Sequence, residues 1–422
     1  MRTKWILSLA AAFCLLCFSL WFAIPWAAGV STKLPAVYVW WVILGIALLP
    51  GFLMFAMFFS NVQHQKPASY PIASDPVTIL LCAHNEEAAL PSCLQHIFAQ
   101  QYGGSISLLL IDNASTDQTA AIAKKAAAQA PPGSSVTYLF CPQKGKHFAL
   151  NEGLRHVKTK LFLTLDADTL LEPEAVEQIV SCLLATDSAC TAGHLFVANP
   201  RQSFVSAMQL YDYWLSIAAV KRFQGSYRTT LVAQGSFSAY RTEAVREVGG
   251  WDASFGEDIV LTYRLLSKGY GSTYAPKAAA STIVPTTWSS LFRQRKRWAY
   301  GMLEGLCTVP LLQQPSWYSR YFVLVNCLIP VLDLAYLTGF LPGVVLWGLG
   351  YPYFVGLYTL FSLLLGALLW TAAYGFQKKL NLPFQNHAIG FLGFLLFFQT
   401  ISSMAAVSGY LQFLLSRRNM HW

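Results

Sequence analysis

The distribution of apolar and polar residues divides the chain into three parts. Two apolar runs, Trp5–Ala28 and Ala36–Phe59, open the sequence, and three more, Tyr321–Leu346, Tyr351–Tyr374 and Ala388–Leu415, close it. Each run reaches the length of about 20 residues that a helix needs to cross a bilayer. The pattern therefore predicts two membrane-spanning helices before a more polar middle part and three after it.

The middle part alternates between short aliphatic runs and longer amphipathic ones. Residues 61–76 are polar and contain prolines, which predicts a linker, and residues 77–287 form the predicted domain. Strands are expected at Val77–Cys82, Ile106–Ile111, Val136–Phe140 and Leu161–Leu165, and helices at Ala88–Gln101, Thr119–Gln129, Lys146–Val157 and Glu172–Ala185. Alternation at this spacing is typical of βαβ units and predicts an α/β fold with a mostly parallel sheet.

Acidic residues follow three of the predicted strands. Glu86 and Glu87 come after the first, Asp112 ends the second, and Asp166 and Asp168 end the fourth. One acidic strand end is typical of a helix cap or a solvated turn. Because the carboxyl ends of parallel strands meet at one edge of a sheet, where such folds bind ligands, three acidic ends favour a binding site.

Two of these motifs suggest particular chemistry. Asp166 and Asp168 offer hard oxygen ligands for Mg²⁺ or Mn²⁺, which can neutralise a diphosphate. Asp258 precedes a predicted helix, Ile259–Ser267. It is either a cap that the helix dipole stabilises or a general base that accepts a proton from an attacking hydroxyl.

Residues 288–312 predict an amphipathic helix that lies in the membrane interface. Aromatic and aliphatic residues recur there at roughly helical spacing, with Arg and Lys between them. Anchoring to anionic lipid is one interpretation. The other assigns Arg297 to a diphosphate and Trp298 to the face of a sugar.

The charge distribution excludes a nucleic-acid-binding protein. Residues 75–300 contain 18 of the 20 acids and 20 of the 29 Lys and Arg, so they carry 20 − 18 = +2 and the remainder carries 9 − 2 = +7. The excess therefore lies in the membrane flanks and not in a basic patch on the domain. Asp333 is the only acid within the apolar runs, which argues against a transporter.

Flanking charges also predict the orientation. Arg2 and Lys4 place the first helix end, and with it the middle domain, in the cytoplasm, and Lys378 and Lys379 agree. Arg417 and Arg418 then fall outside, against the rule. The first run also has the features of a cleavable signal peptide, which leaves the same orientation for the domain.

The ordered series of motifs resembles the membrane-embedded inverting family 2 glycosyltransferases. This family includes cellulose, hyaluronan, chitin and bacterial poly-N-acetylglucosamine synthases. The matching segments lie between Val77 and Gly301 and are Ala83–Glu87, Asp112–Asp117, Lys144–Lys146 with Asn151, Asp166–Asp168, Gly256–Asp258 and Gln294–Trp298. The resemblance implies a nucleotide-sugar-binding domain of the GT-A type between membrane helices.

The resemblance also implies roles for individual residues. On the nucleotide-sugar side, Asp112 contacts uracil, Lys146 lines the pocket, and Asp166 and Asp168 face the diphosphate and metal, with Asp168 preferred as the direct ligand. Asp258 is the implied catalytic base. The acceptor and channel residues are Gly235, Ser236, Glu257, Gln294, Arg297 and Trp298. One position departs from the pattern: family members often have Thr before the Glu-Asp pair, and this chain has Gly256.

These expectations combine into a predicted enzyme of the bacterial inner membrane. It uses a UDP-sugar, with UDP-N-acetylglucosamine favoured over UDP-glucose, and extends a β-linked polysaccharide processively, exporting it through its own helices. The alternative is a lipid glycosyltransferase that adds one sugar to a membrane lipid. The expected partners are the donor, the glycan or lipid acceptor, membrane lipids and an accessory membrane subunit.

Overall fold

An eight-stranded mixed sheet forms the centre of the middle domain. The computed structural model describes residues 1–64, 68–129, 135–355, 360–382 and 385–418. The strands are β1 Val77–Ala83, β2 Ile106–Asp112, β3 Ser135–Phe140, β4 Leu161–Asp166, β5 Thr169–Leu171, β6 Cys190–Val197, β7 Phe237–Arg241 and β8 Ser272–Thr282. Their order in the sheet is β3-β2-β1-β4-β7-β6-β8-β5.

The four strands from β3 to β4 run parallel, so their carboxyl ends share one edge. Asp112 pairs in register with Ala83 of β1 on one side and with Phe140 of β3 on the other, and Cys82 pairs with Asp166 of β4. β7 runs antiparallel to β4. The turn that leads into β7 therefore lies at the same edge as the carboxyl ends.

Helices cover both faces of the sheet and extend the chain beyond it. They are α1 Arg2–Val30, α2 Ala36–Gln63, α3 Leu90–Phe98, α4 Thr119–Ala128, α5 Lys146–His156, α6 Ala175–Ala185, α7 (residues 204–225), α8 Thr242–Glu247, α9 Glu257–Ser267, α10 Trp288–Thr308, α11 Trp317–Gly348, α12 Leu360–Lys379 and α13 Ala388–Ser416. α7 is π-helical over Trp214–Lys221, and α2, α11 and α13 each contain a shorter π-helical turn.

The four predicted strands and the helices between them are confirmed, with small shifts at their ends. The helix expected at Ala88–Gln101 is the shorter Leu90–Phe98, and the helix expected from Glu172 begins at Ala175. The Glu172 N–H donates to the Ala279 carbonyl at 3.0 Å, so this residue still pairs with β8. The second half of the sheet was not predicted. β6 is buried at every position, so it shows no alternation of apolar and polar residues.

Four helices within the described ranges are long and apolar enough to cross a membrane. They are α1, α2, α11 and α13, which match four of the five predicted spans. The fifth predicted span, Tyr351–Tyr374, includes residues 356–359, which lie outside the described part. Its residues from Leu360 onward belong to α12. Ala373 of α12 is buried in the core of the domain, and the Trp370 ring is 6.1 Å from that of Trp214. A third C-terminal span remains a prediction.

Arg222 joins the membrane helices to the domain. This buried cation donates from Nε to Asn61 Oδ1 at 3.1 Å, and its guanidinium lies 4.0 Å from the centre of the Phe376 ring. Asn61 donates in turn to the Ala219 carbonyl at 3.0 Å. Because α2 continues to Gln63, the predicted linker is shorter than residues 61–76, and its residues 65–67 lie outside the described part.

Candidate active site

Two asparagines interlock the loops that follow β1, β2 and β3. Asn85 Oδ1 accepts the Thr116 N–H at 2.8 Å. Asn113 donates to the Gln143 carbonyl at 2.6 Å and accepts the Gly145 N–H at 2.8 Å. The two Asn113 bonds fix the start of α5, because Gly145 immediately precedes the helix.

Asp112 is buried at the carboxyl end of β2. Its Oδ1 accepts the Ser115 N–H at 3.0 Å, and its Oδ2 accepts the Tyr138 hydroxyl at 3.2 Å. Burial and the negative charge of Asp112 raise the pKa of Tyr138. The Asp112 carboxylate is therefore held in one orientation at the edge where ligands of parallel sheets bind.

Lys146, the first residue of α5, connects this edge to β4. Its ammonium group pairs with Asp166. Burial alone would lower the pKa of Lys146, but the charges of Asp166 and Glu257 outweigh that effect and raise it. A Cβ added to Gly235 would lie 2.9 Å from Lys146 Nζ, so a side chain there would press on the end of the Lys146 side chain.

Glu86, Asp166 and Asp168 form a second group of charges. Burial and the charges of Asp168 and Asp166 raise the pKa of Glu86 to about 7. Burial and Asp166 raise the pKa of Asp168, whose Oδ1 accepts the hydroxyls of Thr169 and Thr282 at 3.3 and 3.4 Å.

This group fits a hard divalent cation in charge and in donor type. The charge of Asp166 disfavours the charged forms of Glu86 and Asp168, and carboxylate oxygens are the ligands that Mg²⁺ and Mn²⁺ prefer. Within the described part of the chain, no three His, Cys, Asp or Glu side chains are already assembled around a metal-sized site. The sequence places Glu86 at the predicted binding edge but assigns it no individual role.

Asp258 lies in the first turn of α9 and reaches the loop before β7. Its Oδ2 accepts the Gly235 N–H at 3.3 Å. In the same loop, the Ser236 carbonyl accepts the Asp166 N–H at 3.3 Å. Burial and the charge of Asp258 raise the pKa of Glu257 to about 7. Lys146, Asp166, Gly235 and Asp258, which are far apart in sequence, thus converge on one cleft.

The glycine at position 256 has a structural explanation. Gly256 packs directly on Gly301 of α10, and a Cβ added to Gly256 would lie 2.7 Å from Gly301 Cα. A threonine there would collide with backbone, which cannot move aside as a side chain can. Gly256 therefore permits the close contact between α9 and α10 in this chain.

The predicted motif residues of α10 lie in different surroundings. Arg297 is exposed and Trp298 is 40% exposed, so both are accessible to ligands. Gln294 is half-buried, and among the described residues its Oε1 has no hydrogen-bond partner. Sequence reasoning missed Arg295, which pairs with Asp212 at 2.6 Å and places its guanidinium 4.3 Å from the centre of the Trp298 ring. The spacing of three residues between Arg295 and Trp298 was a signal, since such residues are neighbours on a helix.

Comparison with known proteins agrees with this architecture. The family model described as "Glycosyltransferase like family 2" matches residues 75–301. An N-acetylglucosaminyltransferase of Azorhizobium caulinodans is 28% identical over 238 residues, which are 53% of this chain and 58% of the relative. A poly-beta-1,6-N-acetyl-D-glucosamine synthase of Staphylococcus aureus is 27% identical over 248 residues, 58% of each chain. The chain thus spans less than two thirds of the length of these relatives.

A solved structure shows the same fold. A mannosyltransferase from Pyrobaculum calidifontis, determined in complex with GDP-Man and Mn²⁺, superposes with a TM-score of 0.57 at 18% identity. The match covers 88% of this chain and 99% of the other. The predicted GT-A-like α/β fold and the predicted enzyme class are confirmed: the chain belongs to glycosyltransferase family 2.

Proposed function

We propose that this protein transfers N-acetylglucosamine from UDP-N-acetylglucosamine to the end of a β-linked glycan and repeats the transfer without releasing the product. The convergence of Lys146, Asp166, Gly235 and Asp258 on one cleft carries the proposal. It brings a cation and carboxylates suited to a nucleotide diphosphate next to a carboxylate suited to an acceptor hydroxyl.

The nucleotide side of the cleft binds the donor. The fixed Asp112 carboxylate accepts hydrogen bonds from uracil, and the Lys146 ammonium faces the diphosphate. Asp168 and Asp166 would hold Mg²⁺ or Mn²⁺, which when bound offsets the charge of the leaving group. Donor binding would then replace the Lys146–Asp166 pair with separate contacts of each partner to the ligand.

Asp258 acts as the general base. Its carboxylate accepts the proton of the acceptor hydroxyl while the hydroxyl oxygen bonds to the anomeric carbon of the sugar. The bond from that carbon to the diphosphate breaks, and UDP leaves with the electron pair. One displacement inverts the α-linked donor to a β-glycoside. The Gly235 N–H, which holds Asp258 Oδ2 at 3.3 Å, keeps the base beside the acceptor loop.

The names of the relatives and the motif helix α10 support the choice of sugar and product. Both relatives above are named for N-acetylglucosamine transfer or its polymer. Trp298 is exposed enough to stack on a sugar ring, and the Arg295 guanidinium fixes its orientation. In a processive enzyme, this contact retains the chain end after each addition.

The membrane helices support a location in the bacterial inner membrane with the domain in the cytoplasm, where sugar nucleotides are made. A cysteine introduced at Lys158 should be inaccessible to an impermeant thiol reagent in intact cells and accessible after lysis. Labelling in intact cells would reverse the proposed orientation. Export of the glycan and an accessory subunit are further parts of this proposal.

A lipid acceptor is the second candidate. A groove of about 620 Å³ lies between α10, α11 and α13. Leu337, Met404, Val407, Leu411 and Leu415 line most of it, and Lys296 borders it. Apolar walls beside a cation are suited to an acyl or prenyl chain with a phosphate head, and this observation favours a lipid as the molecule that receives the sugar.

The product distinguishes the two candidates. Purified protein in nanodiscs is incubated with radiolabelled UDP-N-acetylglucosamine or UDP-glucose, and the label is followed into polymer and lipid fractions. We expect N-acetylglucosamine polymer. With Trp298→Ser the polymer should become shorter at nearly unchanged donor KM, whereas Trp288→Ser, a similarly exposed residue of the same helix, should leave its length unchanged. Label confined to a lipid carrying one sugar would refute the proposal.

A further inference from the structure

One side chain of α10 holds the backbone segment that precedes Asp258. Glu304 Oε2 accepts the Phe255 N–H at 2.7 Å and the Gly256 N–H at 3.3 Å. These two amides immediately precede α9, so they belong to a helix N-terminus, where a negative charge is stabilised by the helix dipole. Glu304 is therefore an N-terminal cap of α9 that is supplied by another helix.

Close packing surrounds this cap. The Gly256–Gly301 contact lies beside it, and a Cβ added to Gly305 would lie 2.8 Å from the side chain of Ile259. The rings of Phe255 and Tyr300 meet edge to face at 5.1 Å. The N-terminus of α9 therefore rests on one face of α10.

α10 is also attached to the membrane helix α13. The Tyr300 hydroxyl lies 3.0 Å from Ser416 Oγ, and its ring lies 5.3 Å from that of Phe413. A Cβ added to Gly409 would lie 3.2 Å from the Ala299 Cβ. α10 thus stands between a membrane helix and the start of α9, and Glu304 provides its hydrogen bonds to the latter.

We infer that Glu304 is a positioning residue for Asp258. Its two hydrogen bonds hold the backbone of Phe255 and Gly256, and that backbone sets where the Asp258 carboxylate stands relative to the acceptor loop at Gly235. The Glu304 carboxylate is engaged with these two amides and is not among the residues proposed to contact donor or acceptor. The inference rests on the proposed role of Asp258 as the base.

Removal of the carboxylate should slow the chemical step and spare donor binding. Misplacement of a reacting group by about 1 Å can cost about 10²-fold, so Glu304→Ala should lower kcat by about that factor, with the KM for UDP-N-acetylglucosamine within twofold of wild type. Glu304→Gln should restore at least half of kcat, because an amide oxygen accepts the same two bonds. Glu243→Ala, which removes an exposed acid from α8, is the control and should leave both constants unchanged.

Two further measurements keep the test decisive. UDP binding and the amount of membrane-inserted protein are measured for each variant, because a loss of either identifies a fold defect. If Glu304→Ala has such a defect, Glu304→Gln is tested in its place, with a predicted kcat near wild type. The double variant Asp258→Asn with Glu304→Ala should be about as slow as Asp258→Asn alone, because Glu304 acts through Asp258.

The inference is overturned if Glu304→Ala keeps kcat within twofold of wild type, if its KM for the donor rises as much as kcat falls, or if Glu304→Gln is as slow as Glu304→Ala. Failure of the proposed function is a separate result. In that case Asp258→Asn itself retains most of its turnover.

Discussion

The proposed nucleotide side and the proposed acceptor side of the cleft are built in different ways. Asp112 ends the parallel strand β2 and Asp166 ends β4, and Lys146 begins α5, the helix between β3 and β4. Each of these residues therefore lies at the end or the start of an element of the βαβ pattern. On the acceptor side, Asp258 and Trp298 lie on the helices α9 and α10 and not at the ends of strands. Packing between these two helices, and not strand pairing, sets where they stand.

The two sides also differ in what holds them. Strand pairing and ladder hydrogen bonds fix the nucleotide side, and its charges partly balance one another, as Lys146 does for Asp166. The acceptor side depends on glycines that let α9 and α10 approach, and on Glu304 and Arg295. The acceptor side is therefore the part that a single added methyl group can disturb.

The largest effect is expected from loss of the proposed metal ligand. Asp168→Ala should abolish transfer, because the diphosphate charge is no longer offset, while the protein inserts normally and unfolds at an unchanged temperature. Transfer of labelled sugar with added Mn²⁺ measures this. Asp75→Ala, an exposed acid before β1, is the control and should be fully active. Full activity of wild type in excess chelator would contradict the metal assignment.

Asp258→Asn tests the acceptor side by itself. The amide keeps the shape and can still accept the Gly235 N–H, but it cannot accept a proton, and general-base contributions are about 10²–10⁴-fold. Turnover should fall by at least 10²-fold with donor binding close to normal. Steady-state kinetics and UDP titration measure the two quantities. A variant with a tenth or more of wild-type turnover would indicate that Asp258 has only a structural role in the first turn of α9.

Gly256→Thr tests the packing of α9 on α10. The new Cβ meets the Gly301 backbone, and overpacking of this kind typically costs about 1–3 kcal/mol. The free energy of unfolding should fall by that amount, and kcat should fall with it because the start of α9 moves. Gly51→Ala is a matched control, since no atom lies within 4 Å of a Cβ added there. Equal stability of both variants and wild type would contradict the contact.

A smaller, pH-dependent effect tests the charge on the nucleotide side. The pKa of Glu86 is raised to about 7 from its usual 4.5, so the folded protein binds more protons than the unfolded chain between these values. Protonated Glu86 therefore stabilises the folded protein relative to charged Glu86. This stabilisation is fully present below about pH 4.5 and is lost as the pH rises through 7. Relative to Glu86→Gln, the unfolding temperature of metal-free wild type should fall between pH 5 and 8. An increase over that range would contradict the assignment.

Much of the fold follows from local patterns. The first four strands and four spans were predicted within a few residues, because aliphatic runs bounded by polar turns identify buried strands, and apolar runs of about 20 residues identify membrane helices. β6 and β8 were not predicted. Their side chains are small or buried on both faces, so neither shows a period of two.

The candidate site divides in the same way. Asp112, Lys146, Asp166, Asp168 and Asp258 could be named from their positions at element ends and from the resemblance to the family. The Asp212–Arg295 pair, the Glu304 cap and the Gly256–Gly301 contact could not, because they join residues about 50 to 80 positions apart whose own neighbours give no sign of a partner.

The amino-acid sequence by itself determined which elements form, which of their ends carry acids, and where apolar helices enclose the domain. These properties depend on residues close together in the chain. The tertiary structure decided that Lys146 pairs with Asp166, that Gly235 meets Asp258, and that α10 supports the start of α9 through Glu304. These contacts depend on how close two backbones approach, and that distance is set by packing across the whole domain.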